Sequence, residues 1–219
     1  MNMKEYILND IKVLTLKSTV KKAQKVCMGF PITHIPIVED GLLVGCISES
    51  DFQTIEEEGS PISDFTDLID FFYAVNTITV LDLIKLFADN DCNIMPVLNE
   101  EKRYIGYFEL TDILDLFASS PFLYKQGVVI VIEKLTKDFS TSEISQIVES
   151  TGGKLLGLYV SSETSDNTQI TIKVRSEDIN EIIQTFRRYD YAIVSQYKDD
   201  FYLQDLKNRS EYLQKYLDM

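Results

Sequence analysis

The sequence predicts an α+β protein with a duplicated first half and a smaller second half. Residues 33–52 and 93–113 repeat one pattern of apolar runs, proline, glycine and aspartate at a nearly fixed distance. After Pro121 the pattern changes to strand, helix, strand, strand, helix, strand. We therefore expect two stacked β-α-β-β-α units, then a βαββαβ domain and a terminal helix.

The repeat is defined by equivalent special residues. Each copy has an apolar strand entered through a proline, a turn with acidic residues, and a second apolar strand broken by glycine. A polar residue then stands three positions before an aspartate, where a helical pattern begins. One extra residue in the turn of the second copy, at 100–103, explains the shift in spacing. The equivalent pairs are Pro36 and Pro96, Gly45 and Gly106, and Asp51 and Asp112, at separations of 60, 61 and 61 residues.

Periodicity places the elements of the first half. In the first copy we expect a short helix or arm at 4–10, a strand at 12–16, a helix from Ser18 or Thr19 to Gly29, strands at 33–39 and 42–48, and a helix carrying Asp51. In the second copy we expect a short helix at 62–69, a strand at 71–75, a helix at 80–89, strands at 95–98 and 104–108, and a helix at 111–117.

The sequence pattern of the second half predicts a small domain followed by a C-terminal tail. Strands are expected at 128–133, 155–161, 169–174 and 191–197, and helices after Thr141 and over 178–189. The tail carries apolar residues that fall largely on one stripe of a helix, so it must cover either its own domain or a partner subunit. These residues are Leu203, Leu206, Tyr212, Leu213, Tyr216 and Leu217.

Charge and composition exclude several classes of function. The formal net charge is −14, from 35 acidic and 21 basic residues, which disfavours binding to nucleic acid or to anionic membranes. The N-terminus has no secretory pattern, and no apolar run reaches the roughly 20 residues of a spanning helix. We expect a cytoplasmic protein whose three cysteines, Cys27, Cys46 and Cys92, are free and buried.

Catalytic motifs are missing from the sequence. It contains no Gly-x-Ser-x-Gly elbow, no P-loop, no Gly-x-Gly-x-x-Gly and no Cys/His metal spacing. His34 is the single histidine, so it cannot form a histidine cluster for a metal. We expect a protein that is not an enzyme, has no metal site and requires no cofactor.

The repeated pattern resembles the CBS motif (cystathionine-β-synthase domain), which occurs in tandem pairs. The resemblance covers roughly residues 5–118, with motif 1 in residues 1–60 and motif 2 in residues 61–120. Residues 125–200 are similar in element order to the ACT domain, a regulatory module of ferredoxin-like βαββαβ topology. With a C-terminal helix at 201–219, the arrangement is similar to acetoin-utilisation-type CBS–ACT regulatory proteins.

The CBS resemblance implies two clefts for adenosyl compounds such as AMP, ATP or S-adenosylmethionine. It implies that Asp51 holds the ribose and that Ser48 faces the phosphate at a helix N-terminus. Plain helix capping by Ser48 and Asp51 is the alternative. In the second cleft Asp112 has the ribose role, but Glu109 replaces the hydroxyl. Like charges at about 4 Å cost about 4 kcal/mol at an effective dielectric near 20, so this cleft should prefer a neutral or cationic ligand or stay empty.

The resemblance also implies that the base lies against strand residues. His34 can instead be a packed histidine without a ligand role. The implied walls are Val13, His34, Ile35 and Pro36 in the first cleft and Val75, Ile94, Met95 and Pro96 in the second.

Together these features predict a non-catalytic regulatory protein that signals through a homodimer to an unknown protein partner. The ACT-like turn at residues 138–141 lacks the proline and glycine typical of that family, so we expect dimerisation there rather than amino-acid binding. The alternative is a structural or interaction dimer whose nucleotide clefts are degenerate. Glu109 and the excess of acidic over basic residues favour this alternative.

Overall fold

The computed structural model describes residues 2–195 of the 219-residue chain. The chain divides into two compact units, Met1–Ser119 and Ser120–Met219. The helix expected over residues 201–219 lies outside the described residues, as does the end of the strand expected over residues 191–197.

The first repeat contains two helices and a β-hairpin. The first helix begins after Thr19, whose side chain accepts a hydrogen bond from the Lys22 amide. Asp40 and Gly41 form the hairpin turn with φ values of 50° and 81°, which aspartate and glycine tolerate. The elements are α1 (Val20–Gly29), β1 (His34–Glu39), β2 (Leu42–Ser48) and α2 (Glu49–Thr54).

The second repeat has the same elements in the same order, with a short strand before them. Thr79 accepts a hydrogen bond from the Asp82 amide, as its equivalent Thr19 does from Lys22, so the period of 60 extends through this helix. The elements are β3 (Ala74–Val75), α3 (Val80–Asp89), β4 (Ile94–Leu98), β5 (Tyr104–Glu109) and α4 (Leu110–Ala118). β4 pairs parallel with β3 and antiparallel with β5.

The entry strands of both repeats are shorter than predicted. The strand expected at 12–16 is a single parallel bridge between Leu14 and Ile37, because the chain turns immediately afterwards. The Ser18 amide donates to the Thr15 carbonyl at 2.9 Å in that turn. The strand expected at 71–75 is limited to β3.

The two short helices expected before the repeats are 3-10 helices. The first spans Met3–Tyr6. The second spans Ile62–Leu68 and is interrupted at Phe65, whose φ of −124° and ψ of 36° are not helical. Short 3-10 turns are common as connectors, and both lie in connecting segments.

Each repeat is joined to the segment that leads into the other. Cys46 in β2 exchanges two backbone hydrogen bonds with Asp70, at 2.7 and 2.9 Å. Tyr107 in β5 exchanges two with Leu8, both at 2.8 Å. The two segments therefore cross over, so the repeats are linked by backbone as well as by side chains.

Glycine is required beside each of these two backbone contacts, Cys46–Asp70 and Tyr107–Leu8. A Cβ at Gly45 would lie 2.6 Å from the Asp70 carbonyl oxygen. A Cβ at Gly106, where φ is 140°, would overlap the Leu8 carbonyl and lie 2.7 Å from Ile7 Cγ2. The glycines at the fixed spacing thus mark close backbone approach between the repeats.

Two equivalent residues, Thr33 and Asn93, bind each other. The Thr33 amide and Oγ1 donate to Asn93 Oδ1 at 2.8 and 3.1 Å, and the Asn93 amide donates to Thr33 Oγ1 at 2.9 Å. Because these positions are 60 apart, the contact lies where an approximate two-fold axis would relate the repeats.

We expect the variant Thr33→Val to destabilise the first unit by about 1–2 kcal/mol. It removes the two hydrogen bonds that Thr33 Oγ1 forms with Asn93 and the one between Thr33 Oγ1 and His34 Nδ1, and it leaves the Asn93 backbone amide without this partner. Urea unfolding measures the change. Thr111→Val, at an exposed position of α4, is the matched control and should be nearly neutral. Equal stability of the two variants would show that the Thr33–Asn93 contact does not hold the repeats together.

The apolar cores of the repeats interlock. The core cluster around the first repeat includes Ile94 and Tyr107 from the second, whereas the cluster around the second repeat includes Cys46 from the first. All three side chains are at most 3% exposed. Each core is thus completed by the other repeat.

Over residues 120–195, the second unit contains a four-stranded antiparallel sheet with the strand order β7-β8-β6-β9. This order and the sequence of elements confirm the predicted ferredoxin-like βαββαβ topology. Within residues 2–195, no helix is long and apolar enough to cross a membrane. The elements are α5 (Pro121–Tyr124), β6 (Val128–Leu135), α6 (Thr141–Ser150), β7 (Lys154–Glu163), β8 (Asn167–Arg175), α7 (Ile179–Arg188) and β9 (Ala192–Ile193).

The three cysteines are free and buried, as the sequence predicts. Burial raises the pKa of the Cys27 thiol to about 11 and that of Cys92 to about 12, and it raises the pKa of Cys46 further.

Because alkylation requires the thiolate, we expect the native thiols to react at pH 8 roughly a hundredfold more slowly than an exposed cysteine. Mass spectrometry after iodoacetamide treatment measures this, and all three should react in urea. Rapid modification of any one of them in the native protein would contradict the burial described here.

Candidate functional site

The start of α2 holds the two residues expected to bind ribose and phosphate. Ser48 is the residue before the helix, and its Oγ accepts a hydrogen bond from the Asp51 amide at 3.0 Å. The same hydroxyl lies 2.6 Å from Asp51 Oδ2, to which it donates. The capping alternative for Ser48 is therefore present in the structure. Because α2 has only six residues, its dipole is a small addition, and the Asp51 carboxylate is the main functional group.

β1 places His34 beside this helix start. His34 pairs with Ser48 across the antiparallel ladder. Its ring is 8% exposed and packs edge-on against Phe72, with centroids 5.4 Å apart. Its Nδ1 lies 3.0 Å from Thr33 Oγ1. His34 is thus a packed ring at the base of the candidate site.

The charges of three nearby carboxylates act on the pKa of His34. Burial lowers the pKa of His34 below its usual value, while the charges of Asp70, Asp51 and Asp91 oppose that shift. The lowered pKa keeps the ring neutral at neutral pH. The neighbourhood is consequently acidic, without a histidine cation to attract phosphate.

The other residues expected to wall the first cleft lie in different environments. Ile35 is fully buried in the core of the first repeat, and Pro36 is buried beside it in β1. Val13 is half-buried against a small cluster of Val38, Leu43 and Leu98. Ile35 can therefore contribute backbone groups, but not its side chain, to a ligand site.

The second site repeats this geometry with different chemistry. Glu109 pairs with Ile94, as Ser48 pairs with His34, and precedes α4 without a capping hydrogen bond from its side chain. Asp112 lies half-buried in the first turn of α4.

A further carboxylate, Asp10, lies near the second site as the hydrogen-bond partner of Tyr107. The Tyr107 hydroxyl donates to Asp10 Oδ1 at 2.6 Å. Burial, this hydrogen bond and the charges of Asp10 and Glu109 all raise the pKa of Tyr107. A phosphate group would meet repulsion from both carboxylates here.

The walls expected for the second cleft are mostly core residues. Ile94 and Met95 are at most 1% exposed, and Pro96 is buried with them in β4. Val75 in β3 differs, because 45% of its surface is exposed. Only Val75 of this group presents an accessible apolar side chain.

Two surface cavities of the first unit lie on its helices. One of about 370 Å³ lies between α1 and α2 and is lined by Gln24, Cys27 and Phe52 among others. The equivalent cavity of about 410 Å³ between α3 and α4 is lined by Ile84, Phe87 and Leu114 among others. Neither cavity includes the polar residues Ser48, Asp51, Glu109 or Asp112.

Sequence reasoning missed the residues that surround His34. The period of 60 could have revealed the Thr33–Asn93 pair, because both directly precede the equivalent strands. Asp70 and Phe72 come from the connecting segment, and no local pattern indicates that this segment packs against the first repeat. Within residues 2–195, no three His, Cys, Asp or Glu side chains gather in a way that suits a metal ion.

Comparison with known proteins adds one family match. Residues 64–119 match the sequence model of the CBS domain family. Inosine-5'-monophosphate dehydrogenase of Methanocaldococcus jannaschii is 27% identical over 111 residues, which are 50% of this chain and 22% of that protein. The chain thus spans about a fifth of the length of this curated relative.

Solved structures of CBS-domain proteins show weak similarity to the chain. A CBS domain pair/ACT domain protein from Thermotoga maritima is 18% identical, with a TM-score of 0.47 over 53% of this chain and 96% of that chain. CBSX2 in complex with AMP is 15% identical, with a TM-score of 0.45 over 53% and 95% of the two chains. Residues 64–119 are thus similar to the CBS domain, and the first repeat has the same order of helices and paired strands as the second.

Proposed function

We propose that the first unit is a non-catalytic regulatory module, a CBS pair made of residues 1–60 and 61–120, that binds an adenosyl nucleotide. In the first cleft Asp51 accepts the ribose hydroxyls and Ser48 faces the phosphate. The supporting observation is the Ser48–Asp51 pair, held next to buried His34 in a repeat equivalent to the CBS segment. AMP, ATP and S-adenosylmethionine are the candidate ligands.

The second cleft, with Glu109 and Asp112, is expected to select a different ligand. Its two carboxylates and the nearby Asp10 disfavour a polyphosphate and favour a neutral or cationic adenosyl compound. If only S-adenosylmethionine binds, its sulfonium charge would suit this cleft better than the first.

Signalling is proposed to pass through a homodimer. β7 is an edge strand of ten residues, so one side of its backbone is open to pairing with a second copy. Residues 125–200 would then act as an ACT-like dimerisation domain in a cytoplasmic protein. Ligand binding would favour one arrangement of the CBS pair, and an unidentified protein partner would distinguish the two arrangements.

Isothermal titration calorimetry with AMP, ATP and S-adenosylmethionine tests the binding step. We expect saturable heat with at least one of them below millimolar concentration. A thermal shift should accompany it, since a ligand at a hundred times its dissociation constant stabilises by about 2.7 kcal/mol. The absence of heat with all three at millimolar concentration would remove the sensor function.

A structural or interaction dimer with degenerate clefts is the second candidate. Two observations favour it. Glu109 occupies the capping position without forming a cap, and neither helix-face cavity is lined by Ser48, Asp51, Glu109 or Asp112. This candidate predicts no nucleotide response in the wild-type protein and only a capping loss of about 1 kcal/mol for Asp51→Ala.

A further inference from the structure

One face of the sheet in the second unit carries several exposed apolar side chains, next to the polar residues Glu133, Gln169 and Lys173. Helices α6 and α7 cover the other face, where Ile130, Ile132, Ile170 and Ile172 are at most 1% exposed. Side chains alternate along a strand, so the residues between these isoleucines point to the opposite side. The strand register then shows which side chains share this opposite face.

A row of side chains crosses the open face. Val131 pairs with Thr171, and Thr171 pairs with Tyr159. The Val194 amide donates to the Val131 carbonyl at 2.9 Å, which extends the row beyond β9. Tyr159 is 51% exposed and Val194 is 47% exposed, whereas the central Thr171 is 9% exposed. Val129, on the same face, is 53% exposed.

A short helix already covers one end of this face. Phe122 in α5 lies directly over Gly157, where an added Cβ would be 3.0 Å from Phe122 Cε2. Its ring is edge-on to Tyr159, and the Lys173 ammonium donates to the Leu123 carbonyl at 2.7 Å. The face therefore accepts a helix at this end, and its remaining part, with Val129, Val131, Tyr159 and Val194, is what we call the open patch.

We propose that the open patch is covered by the chain's own C-terminal segment, residues 201–219, lying as a helix across the sheet. The chain leaves β9 at the border of the patch: the Val131 amide donates to Ser195 Oγ at 3.0 Å. The segment that follows Ser195 therefore starts beside the surface that it would cover.

The length of this segment suits the patch. Residues 196–202 can span up to about 23 Å when extended, which is enough to turn back over the sheet. A helix over residues 203–217 would be about 22 Å long, close to the roughly 27 Å of the eight-residue strand β6. Its apolar stripe would meet the valines and Tyr159. That stripe contains Leu203, Leu206, Tyr212, Leu213, Tyr216 and Leu217.

A second copy of the chain is the competing occupant of the patch. An attached segment has the advantage of high effective concentration, because only a few residues separate it from β9. If the segment covers the patch, open faces of two copies cannot stack, and dimerisation is left to other surfaces such as the β7 edge. The two occupants also differ in concentration dependence, because only binding to a second copy weakens on dilution.

Limited trypsin digestion of the full chain tests the proposal, since Lys207, Arg209 and Lys215 are cleavage sites within the segment. We expect slow cleavage in the wild-type protein. Leu206→Asp combined with Leu213→Asp should raise the cleavage rate at least tenfold, whereas Gln204→Asp combined with Gln214→Asp, off the apolar stripe of the helix, should not.

Substitutions on the sheet test the same contact from the other side. Tyr159→Asp and Val129→Asp should each release the segment to cleavage by a similar factor. Val160→Asp is the matched control, because Val160 is 45% exposed but points to the helix side of the sheet. Melting curves confirm that each variant remains folded, and Val129→Asp keeps the test valid if Tyr159→Asp unfolds.

Three outcomes would overturn the proposal. Rapid cleavage in the wild-type protein would show an undocked segment. Protection that persists in Tyr159→Asp and Val129→Asp would place the segment elsewhere. Protection that is lost on dilution, together with a shift from dimer to monomer in analytical ultracentrifugation, would show that a second copy provides the docking surface.

Discussion

The variant Gly106→Ala is expected to lose about 3 kcal/mol of stability in the first unit. The backbone at Gly106 has a φ of 140°, a conformation that costs an L-residue about 1–3 kcal/mol. An added Cβ would also displace the Leu8 carbonyl, which accepts from the Tyr107 amide at 2.8 Å. The two backbone hydrogen bonds between Leu8 and Tyr107 would weaken, and each contributes about 1 kcal/mol to stability. Thermal unfolding should show a fall in Tm of about 10 °C or more.

Gly29→Ala is the matched control for this prediction. Gly29 ends α1, and an added Cβ would meet nothing within 4 Å. This variant should be neutral or stabilising by up to about 1 kcal/mol. Gly45→Ala should behave like Gly106→Ala, because its Cβ would press on the Asp70 carbonyl. Normal stability of both Gly45→Ala and Gly106→Ala would mean that the crossed segments do not hold the repeats together.

The variant Asp51→Asn is expected to weaken adenosyl-nucleotide binding about a hundredfold. A carboxylate that accepts both ribose hydroxyls contributes charge-assisted hydrogen bonds of about 1.5–3 kcal/mol each, and an amide keeps its shape but loses the charge. Ser48 can still donate to the amide oxygen at this position, so the start of α2 should remain folded. Calorimetric titration with the best wild-type ligand measures the loss.

Asp115→Asn controls for the change in net charge, because Asp115 is exposed on α4 three residues after Asp112. It should bind as the wild-type protein does. Asp112→Asn reports on the second cleft. If ligand affinity falls in Asp112→Asn but not in Asp51→Asn, the ligand binds in the second repeat. Equal affinity in all three variants would exclude a ribose contact by either aspartate.

The sequence was sufficient for the features that rest on local signals and the repeat. The sequence left Ser18 or Thr19 open as the start of α1, and the structure uses Thr19. Ser48 and the turn at Asp40 have the capping and turn roles that their residue types favour. The βαββαβ order of the second unit also followed from its sequence pattern, because residues 128–132 form a continuous apolar run, residues 169–174 alternate, and the helices have one apolar face.

Features that depend on distant pairing were not predictable in this way. The strand expected at 12–16 is cut to one bridge by the turn at Thr15, and this outcome depends on how the chain must reach α1. Ile35, Ile94 and Met95 were expected as cleft walls, but their burial is set by cores that combine residues about 60 positions apart. A single sequence does not show which face of a fully apolar strand meets a ligand.

Because the cores interlock, the segment that matches the family model and the unit that folds cooperatively are not the same. Residues 64–119 match a family model by themselves, yet Ile94 and Tyr107 complete the core of the preceding repeat. A fragment limited to the matched residues would expose these side chains to water and would also lack Leu8, the partner of Tyr107. The segment recognised by homology is therefore smaller than the cooperative folding unit, and mutations in either repeat should be felt as a single unfolding transition.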